Sequence, residues 1–192
     1  YKRQGQVENY SILASHVLVP PAIEAVMDDE IAQIDGFLAA GHVCTIMGIK
    51  EYYPLVEKYH VPIVVTGFEP VDIVQGLLMT IKQLEKGVAK LENQYTRVVH
   101  ADGNPEAIKI IEKVFYTTDR EWRGIGNINM SGYQVRPEYA QYDANKKFDI
   151  NIEKVEENKD CIAGLVLKGI KKPSECPQFG KACSPQMPLG AP

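Results

Sequence analysis

The sequence predicts an α/β fold over residues 5–150, with a mostly parallel sheet that is covered by helices on both faces. Strand-like and helix-like segments alternate four times along the chain, and the helical segments repeat apolar residues at intervals of three and four. A further observation separates residues 151–192, where three cysteines occur in a stretch rich in Gly, Pro and Lys. We therefore expect an irregular, cysteine-rich tail after the α/β domain.

Three strands are predicted in the first part of the chain. An apolar run at residues 10–15 precedes two prolines, and proline is tolerated in the first turn of a helix. Residues 34–40 form a second apolar run, and residues 62–66 form a third that is rich in β-branched side chains. A helical pattern at residues 52–59 separates the last two runs. Strands and helices therefore alternate in the order that builds a parallel sheet.

The clearest helix is predicted at residues 70–86, where the apolar residues form a helical stripe that ends at Gly87. A fourth strand is predicted at residues 95–99. Asn104 and Pro105 then mark the start of another helix, because asparagine caps helices and proline suits the first helical position. Farther along the chain the regular pattern fades into short strands or loops.

Composition places the chain among ordinary globular proteins. Its 192 residues, 45% of them hydrophobic, are enough to build a core. The formal net charge of -4 leaves no basic footprint, so nucleic acid is not expected as a partner. The longest apolar run, at residues 61–68, is shorter than the roughly 20 residues that span a bilayer, and no signal peptide opens the chain. We expect the protein to work in the reducing cytoplasm. We take residues 1–4 to be a translated sequencing adapter, and we expect the chain to be truncated at both ends.

Polar residues follow each predicted strand, at the place where open parallel sheets bind their ligands. The candidates, in chain order, are His16, His42 and Glu69. We expect them to meet in one cleft if their strands are neighbours. Structural alternatives exist, since His16 can bond a loop carbonyl and Glu69 can stabilise a helix start through the dipole. His42 is the best candidate, because Gly41 before it permits close backbone approach and histidine can donate, accept or ligate.

The tail contains Cys161, Cys176 and Cys183, with fourteen and then six residues between them. Thiolates in a Gly- and Pro-rich stretch indicate a metal or cluster site in preference to core packing. Three thiolates are one ligand short of a tetrahedral site for iron or zinc, and the spacing leaves both metals open. Cys44, in contrast, lies in an apolar segment and is predicted to be a buried structural thiol.

Several segments along the chain carry a family resemblance. They are His-Val-Leu-Val-Pro-Pro-Ala at residues 16–22, Gly-His-Val at 41–43, Gly-Phe-Glu-Pro at 67–70, Gln-Tyr-Thr-Arg at 94–97, Glu-Trp-Arg-Gly at 121–124, Cys-Pro-Gln-Phe-Gly at 176–180 and Leu-Gly-Ala at 189–191. Taken together they resemble the hydrogenase maturation factor HypD family, from about residue 5 onward.

The resemblance implies a scaffold on which iron receives cyanide and carbon monoxide ligands before insertion into NiFe hydrogenase. It implies two similar α/β domains, a cysteine-rich domain with a 4Fe-4S cluster, and two partners, a HypC-type chaperone and a HypE-type cyanide donor. This chain would correspond to the second α/β domain and part of the third. Cys161, Cys176 and Cys183 would then be cluster ligands, with a fourth cysteine past the end of the chain.

The resemblance also implies roles at the strand ends. His42 would donate a hydrogen bond to the iron-bound cyanide and Glu69 would support it, with His16 in the same cleft, while the cluster supplies electrons. Two alternatives from other classes remain open. The tail could be a structural zinc knot, or the domain could be a small-molecule enzyme that uses strand-end His and Glu residues as acid and base. No nucleophile with a base at recognisable spacing supports the enzyme.

Trp122, the single tryptophan, lies between two charged residues outside the alternating segments. Aromatic side chains with a polar handle are common in interfaces as well as in cores. We predict that Trp122 packs between domains in preference to binding the chaperone.

Overall fold

The computed structural model describes residues 8–148 and 158–190, and it confirms the α/β class. The predicted boundary between domain and tail, at residues 150 and 151, lies outside the described residues. The helices and strands, in chain order, are α1 (Val19–Met27), β1 (Phe37–Ala40), α2 (Gly41–Met47), α3 (Tyr53–Tyr59), β2 (Ile63–Thr66), α4 (Pro70–Glu85), β3 (Leu91–Asn93), α5 (Pro105–Val114), β4 (Phe115–Trp122), β5 (Gly126–Val135), α6 (Ala144–Lys147) and α7 (Ala163–Leu167). Short 3₁₀ helices lie at Lys50–Tyr52, Pro137–Tyr142 and Pro173–Glu175.

Three of the strands form a parallel sheet in the order β1, β2, β3. Phe37 of β1 pairs with Ile63 of β2, and Ile63 pairs in turn with Leu91 of β3. All residues of β2 are buried, as expected for a central parallel strand that is covered on both faces. The β-branched run predicted at residues 62–66 thus forms the middle of the sheet.

Helices cover both faces of this sheet, as predicted. Ile63 and Val65 point to one face and join the main core with side chains from α1, α2 and α3. Successive side chains alternate between faces, so Thr66 points to the other side. There it contacts α4 at Gly76, where an added Cβ would overlap the Thr66 methyl group.

The prediction of a strand at residues 95–99 is wrong. The third strand of the parallel sheet lies earlier, at Leu91–Asn93. Asn93 ends it. Its Oδ1 accepts the Tyr95 N–H at 2.9 Å, and its Nδ2 donates to the Val99 carbonyl at 3.0 Å. Such Asn side-chain bonds turn the backbone, so the apolar residues that follow do not extend the strand.

The strand predicted at residues 10–15 is also absent from the parallel sheet. Residues 10–18, which we call the N-terminal arm, run instead towards the antiparallel hairpin of β4 and β5. The Leu18 N–H donates to the Ser131 carbonyl at 2.7 Å, and the Tyr133 N–H donates to the His16 carbonyl at 3.0 Å. An apolar run does not specify its pairing partner, and here the hairpin supplies it.

The helix predicted at residues 70–86 is confirmed as α4, but its apolar stripe does not face the sheet. The buried positions are Asp72, Gly76, Thr80 and Gln83. Polar residues are tolerated there because their groups are bonded. The Thr80 hydroxyl donates to the Gly76 carbonyl at 3.0 Å, and the Gln83 side-chain carbonyl accepts the Lys90 N–H at 2.7 Å.

Trp122 lies in β4 and is bonded within its own hairpin. Its indole N–H donates to Ser131 Oγ at 2.9 Å, and the fully buried Ser131 hydroxyl donates in turn to the Ile128 carbonyl at 2.8 Å. We expect a Trp122→Ala variant to lower Tm by roughly 5–10 °C, because apolar area is lost and Ser131 loses its donor. Thermal unfolding measures the loss, and a pull-down with the HypC-type chaperone that the resemblance implies should match that of the wild type.

A Trp122→Phe variant is the matched control, because it keeps a ring and removes the N–H. It should lower Tm by roughly 2–4 °C, the effect of one hydrogen bond. If Trp122→Ala kept its Tm and lost the chaperone, the tryptophan would belong to the chaperone interface.

Candidate functional site

The carboxyl ends of the three parallel strands lie at one edge of the sheet, where ligands bind in folds of this kind. His42 follows β1, Phe68 and Glu69 follow β2, and Arg97 lies in the loop after β3. We call these loops, with the first turns of α2 and α4, the strand-end edge. Since β1 pairs with β2, the predicted candidates His42 and Glu69 leave neighbouring strands on the same side.

His42 lies in the first turn of α2 and is exposed. Its ring centroid is 5.0 Å from that of Phe68, with the planes tilted by 49°. The preceding Gly41 is required, because an added Cβ would overlap the Thr66 carbonyl and the Tyr95 ring. The predicted close approach at this glycine is therefore to the protein's own chain, and it brings His42 beside Phe68.

An ion pair whose carboxylate end is buried joins the first turn of α4 to the loop that follows β3. Arg97 donates from Nη1 to Asp72 Oδ1 at 2.8 Å and from Nη2 to Oδ2 at 2.6 Å. The Asp72 side chain is 5% exposed, and Gln94 Nε2 also donates to its Oδ1, at 2.9 Å. The bonds from Arg97, and next from Gln94, lower the pKa of Asp72 to about 2. Bidentate pairing fixes the orientation of the guanidinium as well as its charge.

Arg97 also reaches Glu69. Its Nη2 lies 3.7 Å from Glu69 Oε2, and the guanidinium carbon lies 4.4 Å from the centroid of the Tyr95 ring. Glu69 occupies the N-cap position of α4, which agrees with the dipole alternative, but its side chain makes no capping hydrogen bond. With 78% of its side chain exposed, the Glu69 carboxylate is open to a ligand.

Sequence reasoning misses Asp72 and Arg97 as site residues. The segment at residues 94–97 stands out as part of the family resemblance, but the predicted strand at 95–99 hides the fact that Arg97 follows a strand end. A strand placed at residues 91–93 would put Arg97 in the same class as His42 and Glu69.

His16 does not join this edge. Its exposed ring packs edge-on against Phe115 at 5.5 Å between centroids, and its carbonyl accepts the Tyr133 N–H. These contacts are with the hairpin. The sequence leaves open that the His16 ring bonds a loop carbonyl. The observed contact of the ring is with the Phe115 ring instead.

Two cavities border His16. The larger, about 660 Å³, lies between the N-terminal arm, α5 and the 3₁₀ helix at Pro137–Tyr142, and the smaller is about 240 Å³. The larger cavity is lined mainly by aliphatic and aromatic side chains such as Ile110, Val135 and Tyr142. The charged and hydrogen-bonding groups converge instead at the strand-end edge, which is why that edge is the candidate site.

The tail cysteines are free thiols, each partly buried. An added Cβ at Gly190 would overlap Cys161 Sγ, and the Leu189 N–H donates to Cys183 Sγ at 3.5 Å. Two sulfurs therefore border the same short segment, and Cys176 lies nearby in sequence. Thiol donors and an N–H directed at sulfur fit a thiolate-held iron group in their chemistry. Within residues 8–148 and 158–190, no three His, Cys, Asp or Glu side chains are assembled as metal ligands, so binding must draw the thiols together.

Cys44 lies in α2 and is part of the core, at 0% exposure. It is therefore open neither to solvent nor to the tail. Burial raises the pKa of its thiol. The prediction of a buried structural cysteine is confirmed.

Comparison with known proteins bears on the whole chain. The HypD family model, described as the hydrogenase formation hypA family, matches residues 1–192. The chain belongs to the HypD family. This confirms the resemblance that the sequence segments carry. In the parts of this HypD-family chain that are described, no helix has both the length and the apolar character needed to cross a bilayer.

Three curated HypD proteins illustrate the similarity. The chain is 42% identical to the hydrogenase maturation factor HypD of Rhodobacter capsulatus, over 98% of this chain and 51% of that protein. It is 39% identical to HypD2 of Bradyrhizobium diazoefficiens, over 97% of this chain and 51% of that protein. It is 37% identical to HypD of Cupriavidus necator, over 97% of this chain and 51% of that protein. The chain thus spans about half the length of the curated relatives it matches.

Proposed function

We propose that this HypD-family chain is part of a scaffold for NiFe hydrogenase maturation, on which iron receives its cyanide and carbon monoxide ligands as the substrate. Family membership over residues 1–192 supports the maturation role. The observation that carries the iron chemistry is the grouping of an imidazole, an aromatic ring and an Arg97–carboxylate pair at the strand-end edge. An edge of this kind offers hydrogen-bond donors to an anionic metal complex.

In this proposal, His42 donates a hydrogen bond to the nitrogen of an iron-bound cyanide. Phe68, which is 63% exposed, packs against the imidazole and restricts its orientation. Glu69 supports the donor and is itself placed by Arg97, whose guanidinium is held by Asp72. Residues behind a metal-binding group tune affinity and geometry in this way.

The tail is proposed to hold a 4Fe-4S cluster through Cys161, Cys176 and Cys183, with a fourth ligand from outside this chain. When bound, a cluster of this type would supply single electrons. The free thiols and the N–H donated to Cys183 Sγ support this part of the proposal.

The proposed partners are a HypC-type chaperone and a HypE-type cyanide donor, as the family resemblance implies. The proposed compartment is the cytoplasm, because thiolate ligands require cysteines that stay reduced.

Anaerobic reconstitution of the full-length protein with iron and sulfide tests the cluster. We expect a broad brown absorbance band and about four iron atoms per protein. A Cys176→Ser variant should bind at most about half as much iron, because a thiolate ligand is lost. Cys44→Ala is the matched control and should keep its iron, since Cys44 lies in the core.

A colourless protein that takes up zinc in preference to iron would support the zinc knot and contradict the cluster. Equal iron loss in Cys176→Ser and Cys44→Ala would show that the ligand assignment is wrong.

A further inference from the structure

Helix α4 presents its apolar side to solvent. The side chains concerned are between 42% and 65% exposed, and they are Val71, Val74, Leu77, Leu78, Ile81 and Leu84. Each member lies three or four residues from at least one other, so together they form one continuous surface, which we call the outer face of α4. Gly76 and Thr80, on the opposite side of the helix, are buried towards the sheet.

The outer face has the character of a permanent interface. Large contiguous apolar patches are rare on free monomers and mark interaction surfaces. Between Asp72 and Glu85 the helix contains one charged residue, Lys82. Interfaces that never separate are more apolar than those that form and dissociate, which keep charged and polar groups. The partner of this face is therefore expected to be present whenever the protein is folded.

The relatives contain enough additional chain to supply such a partner. This chain covers 51% of the Rhodobacter capsulatus protein and 51% of the Cupriavidus necator protein. Each relative therefore contains about as many residues outside the matched region as within it. We propose that the outer face of α4 packs against the part of the family protein that lies outside these 192 residues, as an intramolecular interface.

This interface would border the candidate site. α4 begins at Pro70, directly after Phe68 and Glu69, and Val71 of the outer face lies in its first turn. The covering part of the protein would therefore reach the strand-end edge and close one side of it. The inference depends on the exposure of α4 and does not depend on the iron chemistry proposed above.

Hydroxyl-radical footprinting tests the interface without any substitution. The 192-residue chain, which contains its own core, is compared with the full-length protein. Labelling of Leu77, Leu78 and Ile81 should fall about fivefold in the full-length monomer, in proportion to the side-chain area removed from solvent. Tyr53 is 49% exposed and begins α3, on the other face of the sheet, so its labelling should stay the same.

Two variants provide a second measurement. Leu78→Glu should lower the Tm of the full-length protein by about 5 °C or more, because it buries a charge in the interface. The same variant should leave the Tm of the 192-residue chain within about 2 °C, because position 78 is exposed there. Lys82→Glu, on the polar flank of the same helix, should shift neither protein by more than about 2 °C.

Equal labelling of α4 in both lengths of protein would overturn the proposal. Protection that appears only in a concentration-dependent dimer, as detected by ultracentrifugation, would assign the face to a second copy and would also overturn it. So would protection that requires added chaperone.

Discussion

A His42→Ala variant of the full-length protein is expected to lose hydrogenase maturation by at least about tenfold while its Tm stays within about 2 °C. His42 is exposed, and the ring it packs against, Phe68, is itself 63% exposed. Its removal therefore takes little apolar area out of the core. The expected loss of function follows because the proposed hydrogen-bond donor to the iron-bound cyanide is gone.

Hydrogenase activity in cells that lack their own family factor, complemented with each variant, measures this effect, and thermal unfolding measures stability. His42→Gln keeps a donor and should recover part of the activity. His60→Asn is the matched control, because His60 is an exposed histidine at the C-terminal end of α3, ahead of β2, and asparagine tolerates its left-handed backbone. A large fall in Tm for His42→Ala would identify His42 as a folding residue, and normal maturation would remove it from the site.

An Asp72→Asn variant is expected to lower Tm by about 5 °C or more at neutral pH. The amide cannot accept both guanidinium bonds as a carboxylate does, so Arg97 loses its anchor. Maturation should fall as well, because Arg97 then no longer places Glu69. Asp102→Asn is the matched control, since Asp102 pairs with Lys50 and their side chains are 67% and 68% exposed. It should change Tm by less than about 2 °C.

The pH dependence of stability identifies the same carboxylate. The pKa of Asp72 is lowered from 3.8 to about 2 in the folded protein, first by Arg97 and then by Gln94. Its ionised form therefore stabilises the fold fully above about pH 4, and this stabilisation is lost as the pH falls towards about 2. Thermal unfolding across that range should show a smaller decrease in Tm for Asp72→Asn than for the wild type. Equal decreases would contradict the assignment.

The sequence predicts the middle of the sheet better than its borders. The run at residues 62–66 is a continuous β-branched stretch between a proline and a glycine, and it forms the buried strand β2. The third strand is misplaced because its end depends on side-chain bonds that Asn93 makes to Tyr95 and Val99. Periodicity does not contain that information.

The candidate site, too, can be predicted from the sequence only in part. His42 and Glu69 can be predicted, because their positions after strands follow from local pattern alone. Asp72 and Arg97 are 25 residues apart, and their pairing depends on how α4 lies against the loop after β3. The orientation of α4 is equally hidden, because Gly76 and the bonded Thr80 face the sheet while the apolar stripe faces outward.

The N-terminal arm has a consequence for how the protein assembles. Arg120 of the hairpin donates to the Ala14 carbonyl at 2.8 Å, and these residues are 106 apart in sequence. At about 5–20 residues per second of synthesis, the arm waits roughly 5 to 20 s for this partner to be made. The three parallel strands all lie between Phe37 and Asn93, so the sheet can form during that wait. Docking of the arm is then a late folding step, and substitutions there should speed unfolding more than they slow folding.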